Sequence, residues 1–135
     1  MRTFYKIGLV IFISILNLNC NTKPSKSEKQ MGQINVVSPS EFKEKSKNQT
    51  IVDIRTPQEY KQSRIKNAVN INLFSKTFLE EVGKLDKSKP VFIYCRSGNR
   101  TSSASRKMMK LGFEQVYDLQ GGISNWAKSR FEIEK

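Results

Sequence analysis

Cys95 stands in the stretch Tyr94-Cys95-Arg96-Ser97-Gly98-Asn99-Arg100-Thr101, directly after the apolar run Val91 to Tyr94. A thiol becomes a strong nucleophile when it is held as a thiolate, and that requires nearby positive charge or aimed N–H donors. Both are available here. If the chain curls around Cys95, successive backbone amides point inward and form an anion-binding nest. A helix starting near Arg100 adds unpaired N–H groups and the positive end of its dipole. Gly98 permits a backbone conformation that a side chain resists, and Arg96 and Arg100 add positive charge. The chain contains no histidine, which excludes the Ser-His-Asp triad, the Cys-His protease pair and most zinc sites. The second cysteine, Cys20, lies far away in a different context, so no disulfide framework is expected.

The elements that must position the loop alternate in type. Ile34 to Val37, Ile51 to Ile54, Val69 to Ile71, Val91 to Tyr94 and Val116 to Leu119 are strand-like runs. Ser38, Pro39 and Glu41 stand in the order N-cap, N1, N3 of a capping box. Pro57 suits the first turn of a short helix. Phe74, Phe78, Leu79, Val82 and Leu85 have approximately helical spacing, which predicts a helix over 75–86. Ala104, Met108 and Leu111 fall at i, i+4, i+7 and Gly112 closes that helix. Ile123, Trp126 and Ala127 can face the core from a short last helix. Strands alternating with helices predict an α/β domain whose largely parallel sheet is covered on both faces. The continuous run Val91 to Tyr94 reads as a central strand, and ligands of such sheets bind beyond the carboxyl ends of the strands, where Cys95 lies.

Several segments together resemble the rhodanese (sulfurtransferase) family. The loop matches its Cys-Arg-x-Gly-x-Arg followed by Ser or Thr. Val52 to Tyr60 is similar to its Asp-Val-Arg-x-x-x-Glu-Tyr/Phe segment. Ala68, Asn70 and Ile71 match the end of its Gly-His-Ile-x-Gly-Ala-x-Asn-Ile segment, and Gly121-Gly122 with Trp126 its terminal Gly-Gly-x-x-x-Trp. The resemblance covers about residues 35 to 131. In the Gly-His-Ile-x-Gly segment this chain has Ser63-Arg64-Ile65-Lys66-Asn67, which implies altered packing of a turn beneath the site. Arg64 reads as a surface arginine.

The resemblance implies a three-layer α/β/α domain with a mostly parallel sheet of about five strands. It also implies a thiosulfate:cyanide type of sulfurtransferase in which Cys95 carries a persulfide. Arg96, Ser97, Gly98, Asn99 and Arg100 would hold the donor and the transferred sulfur. The implied partners are a small anionic sulfur donor and a thiol or cyanide acceptor, with no metal or organic cofactor. Asp53, Glu59 and Tyr60 read as structural, and Trp126 as core. A sulfur-carrier or protein-binding module with little turnover is the alternative. A Cys-x5-Arg phosphatase fits less well, because four residues rather than five separate Cys95 from Arg100.

Arg2 and Lys6 precede an apolar stretch from Ile7 to Leu18. Twelve helical residues span roughly 18 Å, short of a bilayer core of about 30 Å. A charged start, a short apolar core and a polar end describe a signal peptide. Its end at Leu18-Asn19-Cys20 resembles a bacterial lipoprotein signal, with Cys20 as the lipidated first mature residue. The expected organisation is a signal peptide over 1–19, a lipid-anchored flexible linker over 20–34 and the rhodanese-like domain over 35–135. That implies export and a membrane-anchored lipoprotein facing the periplasm or the cell exterior. The formal net charge of +12 suits anionic substrates or lipid, but no basic run carries a nucleic-acid motif.

Overall fold

A computed structural model of the chain describes residues 31–135. The expected signal peptide, most of the expected linker and Cys20 lie outside the described residues. Five strands, β1 (Gln33–Val37), β2 (Thr50–Asp53), β3 (Val69–Asn70), β4 (Val91–Tyr94) and β5 (Gln115–Leu119), alternate with five helices. The helices are α1 (Pro39–Lys45), α2 (Pro57–Gln62), α3 (Phe78–Gly83), α4 (Thr101–Lys110) and α5 (Gly122–Lys128). β1 begins at Gln33, so it takes in the last two residues assigned to the linker. The sheet order is β1-β5-β4-β2-β3 and every pairing is parallel.

Side-chain alternation along β4 divides the core in two. Val91, Ile93 and Cys95 point toward Phe78 and Val82 of α3 and Ala104 and Met108 of α4. Phe92 and Tyr94 point the other way, toward Phe42 of α1 and Ile123 and Trp126 of α5. β4 is buried along its whole length, as a strand covered on both faces must be. The result is the three-layer arrangement expected. Tyr60 of α2 packs against the second layer. The connections leaving neighbouring β2 and β4 therefore depart to opposite faces of the sheet. That makes the gap beyond their carboxyl ends the topological switch point of the sheet, the place where open α/β sheets bind ligands.

Local signals account for most helix ends. The Ser38 hydroxyl accepts from the Glu41 amide at 3.3 Å, but the Glu41 carboxylate pairs with Lys45, so only half of the expected capping box forms. A complete box forms instead at α2, between Thr56 and Glu59. Gly112 adopts the expected positive φ, +94°. α3 is half as long as its apolar spacing predicts: Phe74 and Leu79 are exposed, and residues 72–77 form turns closed by the Asn72 side-chain oxygen and the Ser75 hydroxyl. Ala127 faces solvent, whereas Ile123 and Trp126 are buried.

Candidate active site

Cys95 is the first residue past β4 and is only 1% exposed. Its Sγ accepts a hydrogen bond from the Gly98 amide at 3.1 Å. Gly98 achieves this with φ +94°, a conformation costly to a residue carrying a Cβ. Among the described residues, the amides of Arg96, Ser97, Asn99 and Arg100 donate to no backbone acceptor. These four amides are therefore available as donors along the loop.

The loop is fastened at three points. Behind Cys95, the first turn of α5 takes its carbonyls: Ile123 N–H donates to Cys95 O at 2.9 Å and Ser124 N–H to Arg96 O at 3.1 Å. Gly122, with φ +60°, permits this approach, since a Cβ there would come within 2.6 Å of the Arg96 carbonyl. Below the loop, the Thr101 hydroxyl donates to Gly98 O at 2.8 Å. At its far end, Arg100 forms a two-pronged ion pair with Glu59, at 2.9 and 2.7 Å.

That ion pair revises one expectation. The Arg100 guanidinium is committed to Glu59, whose hydrogen bond foremost raises its pKa, and is not a free substrate clamp. Glu59, read from the sequence only as structural, ties α2 to the loop. It also accepts from Thr56 N and Oγ1, and the Arg100 bond foremost holds its pKa down at about 2. Arg96 is the loop arginine left exposed. It borders a cleft of about 340 Å³ together with Arg55, Gln62, Ser63 and Ser124.

Across the switch point, Asp53 and Arg55 form a buried pair, with Nη2–Oδ2 at 2.6 Å. Burial works against the Arg55 charge, but the Asp53 carboxylate outweighs it and the pKa rises. The same Nη2 donates to Ser63 O at 2.6 Å, and Tyr94 Oη accepts from Ile65 N–H at 3.1 Å. The divergent segment 63–67 is thus a turn bolted beneath the site. Arg64 is not a free surface arginine: its backbone pairs with Glu134 and its side chain lies 3.4 Å from that carboxylate. The Trp126 indole donates to Glu132 O, in keeping with a core role.

Sequence reasoning passed over Asp118, on β5. It is 6% exposed, and its Oδ1 is buried with no hydrogen-bond partner among the described residues. Burial pushes its pKa up to about 6, with the Thr101 hydroxyl pulling it down. The available signal was an acid inside the strand-like run Val116 to Leu119.

A parallel α/β/α sheet with a cysteine loop at its switch point, braced by a Gly-Gly helix start, defines the class. Residues 38–129 match the rhodanese-like domain, and the chain belongs to that family. It is 33% identical over 82 residues to the thiosulfate sulfurtransferase GlpE of Coxiella burnetii, covering 61% of this chain and 75% of that one. It is 37% identical over 84 residues to a tRNA uridine(34) hydroxylase of Pelagibacter ubique, covering 62% of this chain but 28% of that protein's length. The crystal structure of a rhodanese-related protein from Thermoplasma volcanium superposes with a TM-score of 0.67 at 26% identity, covering 74% of this chain and 97% of that one.

Proposed function

We propose that the domain is a sulfurtransferase working through a Cys95 persulfide, with thiosulfate or a related anion as donor. The observation that carries this is the buried Sγ held by Gly98 N–H in a loop with four further amides that donate to no backbone acceptor among the described residues. The Cys95 thiolate attacks the outer sulfur of thiosulfate. A new S–S bond forms, the sulfur–sulfur bond of the donor breaks, and its electron pair leaves with sulfite. The persulfide is then attacked at its terminal sulfur by a cyanide or thiolate acceptor, which regenerates the Cys95 thiolate. The free loop amides would bind the terminal sulfur of the persulfide, and the exposed Arg96 would draw the anionic donor and offset charge on departing sulfite.

Intact mass after incubation with thiosulfate tests this. The wild-type chain should gain one sulfur, about 32 Da, and Cys95→Ser should not; an adduct persisting in Cys95→Ser would move the chemistry elsewhere. The 1% exposure of Cys95 favours one second reading, a carrier that loads but releases sulfur only to a docked partner. Loading without cyanide turnover would select it.

We further propose that Cys20 is lipidated and anchors the domain on the outer side of a bacterial membrane. The support is the sequence of residues 1–20. Cys20→Ala should move the protein from membrane to soluble fraction; unchanged fractionation would defeat the anchor.

A further inference from the structure

We propose that Asp118 is a positioning residue for the sulfur-accepting loop, which it controls through the Thr101 hydroxyl. This deepens the reading of Cys95 as the sulfur carrier and rests on it.

Asp118 points from β5 to the α4 face of the sheet, the face of Val116. Its strand neighbours are Val36 and Ile93, Thr101 comes from the first turn of α4, and Cys95, past the end of neighbouring β4, is the titratable side chain on the same face. Thr101 is fully buried and has one proton to give. In this structure it gives it to Gly98 O, at 2.8 Å. That bond secures the Gly98–Asn99 peptide and with it the positive-φ turn at Gly98 that aims the Gly98 N–H at Sγ. It also polarises the Asn99 N–H, which belongs to the same peptide and has no backbone acceptor.

The arrangement has two states. Protonated, the Asp118 carboxyl can donate to Thr101 Oγ1, which leaves the Thr101 proton on Gly98 O. Ionised, it is a buried anion with an unpartnered oxygen, and the stronger acceptor for that same proton. Gly98 O then loses its donor. One buried carboxyl thus decides whether the loop is braced, and burial keeps its titration close to neutrality, at about 6.

The test uses the full chain in two arms. In Cys95→Ser, where no thiol titrates in the loop, the Gly98 amide resonance should shift between pH 5 and 8 with a midpoint near 6. The shift should vanish on adding Asp118→Asn, shrink with Thr101→Val, and persist with Thr101→Ser. With Cys95 intact, the rate of sulfur loading by Asp118→Asn relative to wild type should be near one at pH 5. By pH 8 it should rise to about threefold, the worth of a fraction of one hydrogen bond. A Gly98 amide that does not titrate, or that titrates unchanged in Asp118→Asn, overturns the proposal, as does a loading ratio independent of pH. The amide arm needs no sulfur chemistry, so if thiosulfate loads neither protein the sulfurtransferase reading falls while Asp118 is still tested.

Discussion

Glu59 and Arg100 lie 41 residues apart in the chain and meet in two hydrogen bonds of 2.9 and 2.7 Å, one guanidinium nitrogen to each carboxylate oxygen. The same carboxylate completes the capping box of α2. A single side chain therefore closes one helix and sets the far end of the cysteine loop at the start of another.

This pairing depends on pH in a defined direction. Arg100 lowers the Glu59 pKa from 4.5 to about 2, so its stabilisation is complete above 4.5 and lost as pH falls through about 2. Both side chains are about a quarter exposed, so the contribution is about 1–2 kcal/mol after solvent screening. Glu59→Gln should lose that amount in urea unfolding at pH 7, and the two proteins should converge below pH 3. Sulfur loading should also slow, because Arg100 is released. Equal stability at pH 7 would contradict the pairing.

Two glycines are predicted to respond oppositely to alanine. At Gly122, φ is +60° and a Cβ would press on the Cys95 and Arg96 carbonyls, which are backbone and cannot step aside. Gly122→Ala should cost about 2–4 kcal/mol from strain and the lost Ile123–Cys95 bond. Gly83, in the last turn of α3, has open space where a Cβ would sit, with no neighbour within 4 Å, and no positive φ. Gly83→Ala should stabilise by about 0.5–1 kcal/mol. Thermal melts of the two variants decide both claims, and a stable, active Gly122→Ala would refute the close approach.

Much of this is legible in the sequence for physical reasons. Strand runs such as Val91 to Tyr94 announce themselves because burial on both faces demands apolar residues without interruption. The loop is legible because its glycine and arginines are local. The partners of those arginines are not local. Nothing in the spacing of Glu59 and Arg100 says that α2 and the start of α4 meet, so the sequence suggests a substrate clamp at Arg100 where the structure has an anchor. Phe74 and Leu79 mislead in another way: they keep a helical period, yet turns at 72–77 closed by the Asn72 side-chain oxygen and the Ser75 hydroxyl start the helix late, and both residues are exposed. Asp118 is hidden inside a strand run whose other residues explain the strand without it.

The buried Asp53–Arg55 pair offers a test of how the turn beneath the site is held. With exposures of 0% and 4%, removing one partner strands the other charge, at a cost of about 3–5 kcal/mol. Arg55→Met should show that loss, and so should Asp53→Asn. The double variant Asp53→Asn/Arg55→Met should lose less than the sum, by at least about 1 kcal/mol. Part of the loss should persist, because Ser63 O forfeits its Arg55 donor. Strict additivity in the double-mutant cycle would show that the two side chains do not act as a pair.

Asp118 should shape stability with the opposite sign to Glu59. Its pKa is raised from 3.8 to about 6 by burial, so folding favours its protonated form. The associated stability is full below 3.8 and lost as pH rises through about 6, amounting to about 2–3 kcal/mol. Asparagine carries no charge at any pH, so Asp118→Asn should unfold at higher urea than wild type at pH 8. The gap should narrow through pH 6 and close near pH 4. Glu59→Gln differs from wild type in the reverse pattern, with the variant weaker at pH 7 and the gap closing in acid, so the two profiles separate a carboxylate that braces the loop as an anion from one that folding prefers neutral. An Asp118→Asn protein no more stable than wild type at pH 8 would mean that the bond ionised Asp118 gains from Thr101 fully offsets the cost of its burial.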